Sequence, residues 1–111
     1  MSGLRTKMSE LEERAGQVAG KLGALANDKR LMILCELVEG GECTVGSLAK
    51  AVALSQSALS QHLAKMRDEG IVTYRRDAQT LWYRIADERI ERLLGVLHEL
   101  YCRPRRKKMT R

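Results

Sequence analysis

From Met8 the apolar positions fall at Met8, Leu11, Ala15, Val18, Leu22 and Leu25, in alternating steps of three and four, with Glu10, Glu12, Glu13 and Arg14 off the stripe. That spacing predicts an amphipathic helix with a heptad-like seam. The seam is too short for an independent coiled coil, so the expectation is a helix lying against a partner subunit. Gly16, Gly20 and Gly23 lower the helix's intrinsic stability and leave room for another helix to come close. Residues 1–7 are polar and are expected to be a flexible N-terminus. Asn27-Asp28 then caps a second helix, about Lys29 to Val38, in which Leu31, Leu34, Cys35 and Val38 make one apolar stripe and Ile33 with Leu37 a second. A helix apolar over so much of its circumference is a buried one. Gly40-Gly41 ends it.

Thr44 to Gly70 reads as two short helices joined by a tight turn. The first runs from about Val45 to Ala51 and carries Leu48, and Ala53-Leu54 forms the link. The second is capped by Ser55 and stopped by Gly70. Leu59, Leu63 and Met66, with Ala58 beside them, recur at helical spacing and give it a docking face. Ser57, Ser60, Gln61, Ala64 and Asp68 lie opposite, flanked by Gln56 and Lys65, and His62 sits at the boundary between the two faces. Hydroxyls and carboxamides at the start of an exposed helix suit base edges and phosphates in a major groove, which is helix-turn-helix grammar. The same pattern also describes a surface helix with a solvated polar face, and this segment alone does not separate the two.

After Gly70 the period changes from helical to alternating. IVTYRR (71–76) and TLWYRI (80–85) are β-type runs around Asp77-Ala78-Gln79, with Tyr83 and Ile85 expected inside. A hairpin directly after a recognition helix is a wing, and Arg75, Arg76 and Gln79 near its tip are placed to reach a phosphate backbone or minor groove. Arginines on an edge strand also guard against aggregation, so this role too has an alternative. The last helix spans about Asp87 to Tyr101, with Ile90, Leu93, Leu94, Leu97, Leu100 and Tyr101 on a broad apolar face, and Pro104 prevents its continuation past Cys102. The fold class is therefore mainly α with a β-hairpin wing, in the order α-α-α-α-β-β-α. Excess apolar surface on the first and last helices predicts a homodimer. The candidate DNA-contacting residues are Ser55, Gln56, Ser57, Ser60, Gln61, His62, Lys65, Arg75, Arg76 and Gln79.

Composition refines this picture. The 111 residues suit one domain with a modest core, and phenylalanine is absent, so Leu, Ile, Val, Ala and Met must fill it. The net charge of +6 is a property of the tail: residues 103–111 hold six basic residues and no acid, and the remaining body balances 14 basic against 14 acidic side chains. Such a tail strengthens salt-dependent attraction to phosphate, or serves only as a solubilising end. Residues 8–102 form the expected domain and 103–111 a flexible basic tail. No apolar run could span a bilayer and no secretory signal is present, so a cytoplasmic protein with reduced thiols and no membrane partner is expected. No carboxylate pair, nucleophile–base set or phosphate loop points to an enzyme, and no cofactor is implied.

The stretches LANDKRLMILCELVEGGECTVGSLA, LSQSALSQHLAKMRDEGIV and RRDAQTLWYRI resemble the ArsR/SmtB family of bacterial winged-helix repressors, over essentially Leu22 to Cys102. The resemblance implies a homodimer that binds an inverted-repeat operator in double-stranded DNA, joined through its first and last helices. It also marks departures. Where the family's thiolate metal site has Cys-Val-Cys, this chain has Thr44-Val45-Gly46, with Cys43 one position off the motif. Where the family's other metal site has Asp-x-His near the start of the last helix, Asp87 is followed by Glu88-Arg89, and His98 by Glu99-Leu100-Tyr101. Metal sensing is not expected. Cys35 and Cys102 instead match the placement in the BigR, SqrR and HlyU-like branch, whose members resemble sulfide, persulfide or oxidant sensors. In that branch the two sulfurs join through a disulfide or a chain of added sulfur atoms. The resemblance thus implies a repressor that releases its operator when a reactive sulfur species or oxidant modifies the Cys35–Cys102 pair.

Several readings of individual residues stay open at this level. A free cysteine among apolar neighbours, such as Cys35, is ordinarily a small core hydrophobe. His98 is expected to pack at the dimer interface. A constitutive regulator or anti-silencer of the same fold, or a dimeric interaction module without sensing, would carry the same helices and wing.

Overall fold

The computed structural model describes the backbone of residues 2–102 and the side chains of residues 8–101. Helix α1 covers Ser2–Leu25, α2 Asp28–Gly40, α3 Val45–Val52, α4 Gln56–Asp68 and α5 Glu88–Leu97, the last widening into a π-helical turn over His98–Cys102. The strands are β1 (Cys43–Thr44), β2 (Val72–Asp77) and β3 (Thr80–Ile85). The expected order holds with one addition. The hairpin is not alone, because β1 pairs antiparallel with β3 (Cys43 opposite Tyr83, Thr44 opposite Trp82), making a three-stranded sheet in the order β1-β3-β2. Two residues between a glycine pair and a helix leave no periodicity to read, so β1 has no sequence signature of its own.

The caps are where the side chains demand them. Asn27 accepts from the backbone N–H of Arg30, Thr44 from Ser47, Ser55 from Ala58 and Asp87 from Arg89, each satisfying an orphan donor of a first turn. Thus α2 starts at Asp28, with Asn27 alone as its cap. Gly70, at φ 76°, stops α4 in the left-handed region that favours glycine.

The core is built around α2. Ile33, Leu34 and Leu37 are sealed from solvent against Leu48 and Val52 of α3, Leu59, Leu63 and Met66 of α4, Ile71 and Val72 at the start of the hairpin, and Leu94 of α5. Tyr83 is buried as expected and stacks at a tilt on Tyr74, ring centroids 5.2 Å apart, whereas Ile85, at the open end of β3, is only half-buried. No polar or charged residue among those described is buried. No helix among them is long and apolar enough to cross a membrane.

Helix α1 joins this core only at its C-terminal end, through Ala24 and Leu25. The rest of its stripe faces outward, with Met8 at 57%, Leu11 at 56%, Val18 at 40% and Leu22 at 46% exposure. On α5 and its π turn, Val96, Leu100 and Tyr101 are exposed as well.

The turn between α3 and α4 carries a local cost. Ala53 sits at φ 56°, ψ 50°, a left-handed conformation in which a Cβ crowds the following carbonyl. Its N–H closes α3 onto Ala49 and Lys50, so the geometry is the one that ends the helix. Replacing Ala53 by glycine is expected to raise the unfolding free energy by about 1 kcal/mol. In urea titrations this appears as a higher midpoint at unchanged slope.

Candidate nucleic-acid interface

Helix α4 turns the expected apolar face inward and leaves Gln56, Ser57, Ser60, Gln61 and Lys65 exposed. Ser55 is exposed too, but its hydroxyl oxygen is committed to the cap, accepting from the Ala58 N–H at 3.1 Å. Beside this face lies an open cleft of about 410 Å³ lined by Thr44, Val45 and Gly46 at the start of α3, Gln56 and Ser60 on α4, and Gln79, Thr80 and Leu81 at the wing tip. The fold therefore brings Gln56, Ser60 and Gln79 to one concavity from segments more than a helix apart in sequence.

Wing residues divide. Arg76 is exposed on β2 and Gln79 is exposed at the tip. Arg75 grips Glu42, its Nε and Nη2 donating to the two carboxylate oxygens at 3.0–3.2 Å, and lies over the Trp82 ring at 5.6 Å from its centroid. The hydrogen bonds from Arg75 hold the Glu42 carboxyl below its ordinary value, and Glu42 raises Arg75 in turn. Arg75 thus arrives at the interface already neutralised, a partnership created by β1 pairing with β3. A phosphate must displace Glu42 to use it.

His62 lies not at the boundary between the two faces, as expected, but on the inward side of α4. At 100° per residue it lies roughly 150° around α4 from the centre of Ser57, Ser60, Gln61 and Ala64. There its Nδ1 accepts from the Arg30 Nε of α2 at 3.0 Å. Sequence reasoning missed Arg30, Lys29 and Glu42 as partners, because each acts on a segment more than 20 residues away.

The cysteines separate by environment. Cys35 is half-buried on α2 and lines an apolar cavity of about 250 Å³ with Leu31, Leu94, Leu97, His98 and Tyr101. Cys102 ends the turn that forms one wall of this cavity, and its side chain lies outside the described residues, as does the basic tail. Cys43 is in β1, where its thiol donates to the Glu36 carbonyl at 3.8 Å. Burial, with the nearby Glu36 carboxylate adding to it, pushes that thiol above its ordinary pKa, which keeps Cys43 protonated and unreactive. His98 is partly buried, its Nε2 2.8 Å from the Glu39 carboxylate of α2.

Asp87 couples α1 to α5. It accepts from Lys21 Nζ at 2.7 Å, from the Arg89 backbone N–H at 2.9 Å and from Arg89 Nε at 3.3 Å. Led by the Lys21 bond, these hold its carboxyl down at about 2.

With this geometry in hand, comparison with known proteins is informative. The sequence profile described as "Bacterial regulatory protein, arsR family" matches residues 27–74, which is α2 through the first half of the wing. Over 102 residues the chain is 40% identical to the transcriptional activator HlyU of Vibrio cholerae, covering 92% of this chain and 94% of the relative. The chain belongs to the arsR family. The solved HlyU structure from the same organism superposes with a TM-score of 0.78 at 43% identity, covering 82% of this chain and 98% of that one. The transcriptional repressor BigR of Xylella fastidiosa gives 0.76 at 37% identity, covering 86% and 96%. A homodimeric winged helix-turn-helix DNA-binding domain of Mycobacterium bovis, described as a possible ArsR-family regulator, gives 0.73 at 34% identity, covering 80% and 82%.

Within this arsR-family chain, Asp87 works as cap and ion-pair partner, and its linkage has a definite sign. A carboxyl depressed to about 2 contributes stability that is complete above its unfolded value, roughly 4, and is lost as pH falls toward 2. Asp87→Ala is expected to cost about 2 kcal/mol at neutral pH through the lost cap and ion pair. The difference from the parent should shrink as unfolding is followed from neutral pH down through that acidic window.

Proposed function

We propose that this chain is a cytoplasmic, homodimeric DNA-binding repressor that releases an inverted-repeat operator when Cys35 and Cys102 become bridged by reactive sulfur or an oxidant. The observation that carries the reading is the apolar cavity that sets Cys35 of α2 against the last turn of α5, the turn that ends in Cys102. Tying these two segments together restrains α2, on which the helix-turn-helix is packed, so a local bond can shift the population of DNA-competent dimers. The repressor BigR and the activator HlyU are both similar to this chain over most of its length.

The chemistry balances with a persulfide donor. Two donors in turn each pass a sulfane sulfur to Cys102 and leave as thiols, so that Cys102 carries two added sulfurs. The Cys35 thiolate then attacks the sulfur bonded to Cys102, hydrosulfide leaves, and a trisulfide joins the residues. Each inserted sulfur adds about 2 Å of reach, which relaxes the Cα separation of at most ~7 Å that a plain disulfide demands.

For the dimer, support comes from the exposed stripe of Met8, Leu11, Val18 and Leu22 beside Val96 and Leu100, and from the homodimeric Mycobacterium bovis domain. A buried carboxylate in that seam is costly. Leu11→Glu with Val18→Glu is expected to convert the dimer to a monomer in sedimentation, whereas an unchanged sedimentation coefficient would move the interface elsewhere.

HlyU's description as an activator keeps a second reading, an anti-silencer that displaces another DNA-bound protein without sensing anything. One experiment separates the two. A duplex enriched by the full-length protein from a random-sequence library is expected to contain an inverted repeat. Treatment with inorganic tetrasulfide should weaken that complex for the parent and leave Cys35→Ser bound, with added mass in whole sulfur atoms on the parent. Equal release of DNA by both proteins refutes the thiol-pair mechanism, and no release from either favours the anti-silencer.

A further inference from the structure

The hydrogen bond between Arg30 and His62 is the feature that the DNA-binding reading does not absorb. Arg30 is anchored three ways: its backbone N–H donates to the Asn27 cap at 3.1 Å, its Nη1 to the Ala24 carbonyl at the end of α1 at 3.2 Å, and its Nε to His62 Nδ1 at 3.0 Å. One guanidinium thus fastens the end of α1 and the start of α2 to the inner flank of α4. Helix α2 packs mainly on α3, α5 and the sheet, so this side-chain bridge is its principal polar reach to the recognition helix. One residue earlier, Lys29 Nζ donates to the Val52 carbonyl at the end of α3 at 3.3 Å. The first turn of α2 therefore holds both helices of the helix-turn-helix.

The bond fixes the state of the imidazole. An arginine N–H can only donate, so Nδ1 must present its lone pair and the ring proton must sit on Nε2. Protonation would put N–H against N–H at the same short distance, between two cations, and the contact would have to open. The charged groups facing His62 are both on α2, Arg30 disfavouring the imidazolium and Asp28 favouring it less strongly. Partial burial is the larger cause and the Arg30 charge adds to it, and together they hold the imidazole below its ordinary value.

We propose that Arg30 is a positioning residue for the recognition helix, holding α4 in its DNA-competent setting through neutral His62, and that protonation of His62 releases this hold and weakens specific DNA binding. The sign opposes the general trend, in which acidification adds positive charge and strengthens attraction to phosphate. The proposal rests on the DNA-binding reading, and its test is arranged to fail separately.

The comparison uses the full-length protein kept reduced, with the duplex it enriches at about pH 8, titrated down to about pH 4.5, through and below the ordinary histidine value of roughly 6.5. The parent is expected to lose about tenfold in affinity, the scale of one hydrogen bond turned repulsive. His62→Asn keeps an acceptor near the Nδ1 position and cannot titrate, so its affinity, referred to its own value at the upper pH, should stay nearly level below. All other ionisable groups are common to the two proteins, so a difference between the profiles isolates residue 62. Parallel pH profiles for the two proteins would overturn the proposal. Ring nitrogen shifts from NMR of the DNA-free protein decide the geometry independently: the Nε2–H tautomer is expected for the parent at the upper pH, and a tautomer mixture in Arg30→Met. An Nδ1–H tautomer in the parent would refute the latch even if DNA binding is confirmed. Failure to enrich any duplex would instead refute the DNA-binding reading, leaving the latch to the spectra.

Discussion

The packing of Ile33, Leu34 and Leu37 is the constraint on which the rest of the molecule depends. These three side chains are sealed from solvent, and they lie where α3, α5 and the sheet converge. With no phenylalanine in the chain, this junction is filled by branched aliphatic residues whose shapes must interlock. Truncating a leucine there to alanine would cost roughly 2–5 kcal/mol, a large share of what a domain this size has to lose. Because α2 cannot slide without breaking that packing, its polar edge becomes a fixed rail. Asn27, Lys29 and Arg30 hold neighbouring helices from one end, and Cys35 and Glu39 meet the end of α5 at the other.

In the proposed repressor, this arrangement would let thiol chemistry and DNA recognition share a small domain without sharing residues. The cavity beside Cys35 and the face bearing Ser57, Ser60 and Gln61 lie on different elements, and α2 touches what both depend on. The electrostatic design is consistent with that separation. Arg75 is neutralised by Glu42 on the outside of the sheet, Asp87 by Lys21 between α1 and α5, and Cys43 is kept as a thiol by burial. What remains uncommitted on the α4 face is polar, serine hydroxyls beside the longer Gln56, Gln61 and Lys65, which suits base-edge and phosphate contact. Helix α1 is the exception to an otherwise closed core. Its outer stripe has no cover among the described residues, and a domain this small gains from covering it.

Much of this was legible in residue order. The helix-turn-helix, its cap at Ser55, the stop at Gly70, the hairpin and the buried second helix all follow from local periodicity and cap chemistry, which act over a few residues. The outward stripe of α1 was legible too, as a seam with no partner in its own pattern. Not legible were β1, whose two residues carry no period, and every interaction that joins distant segments. Arg75 looked like a free cation until β1 brought Glu42 beside it. His62 looked ambiguous on a helical wheel until α2 supplied Arg30, and nothing local to either residue paired His98 with Glu39.

The sequence by itself determined which segments are helix and strand, which faces are apolar, and that the body is charge-balanced with a basic end. Those properties depend on neighbours three or four residues away and on composition, so they exist before folding. Tertiary structure alone decided which polar groups are committed and which are available. That choice depends on pairs such as Lys21 with Asp87, 66 residues apart, and Arg30 with His62, 32 apart, whose meeting is set by how α2 packs and by nothing local to either residue.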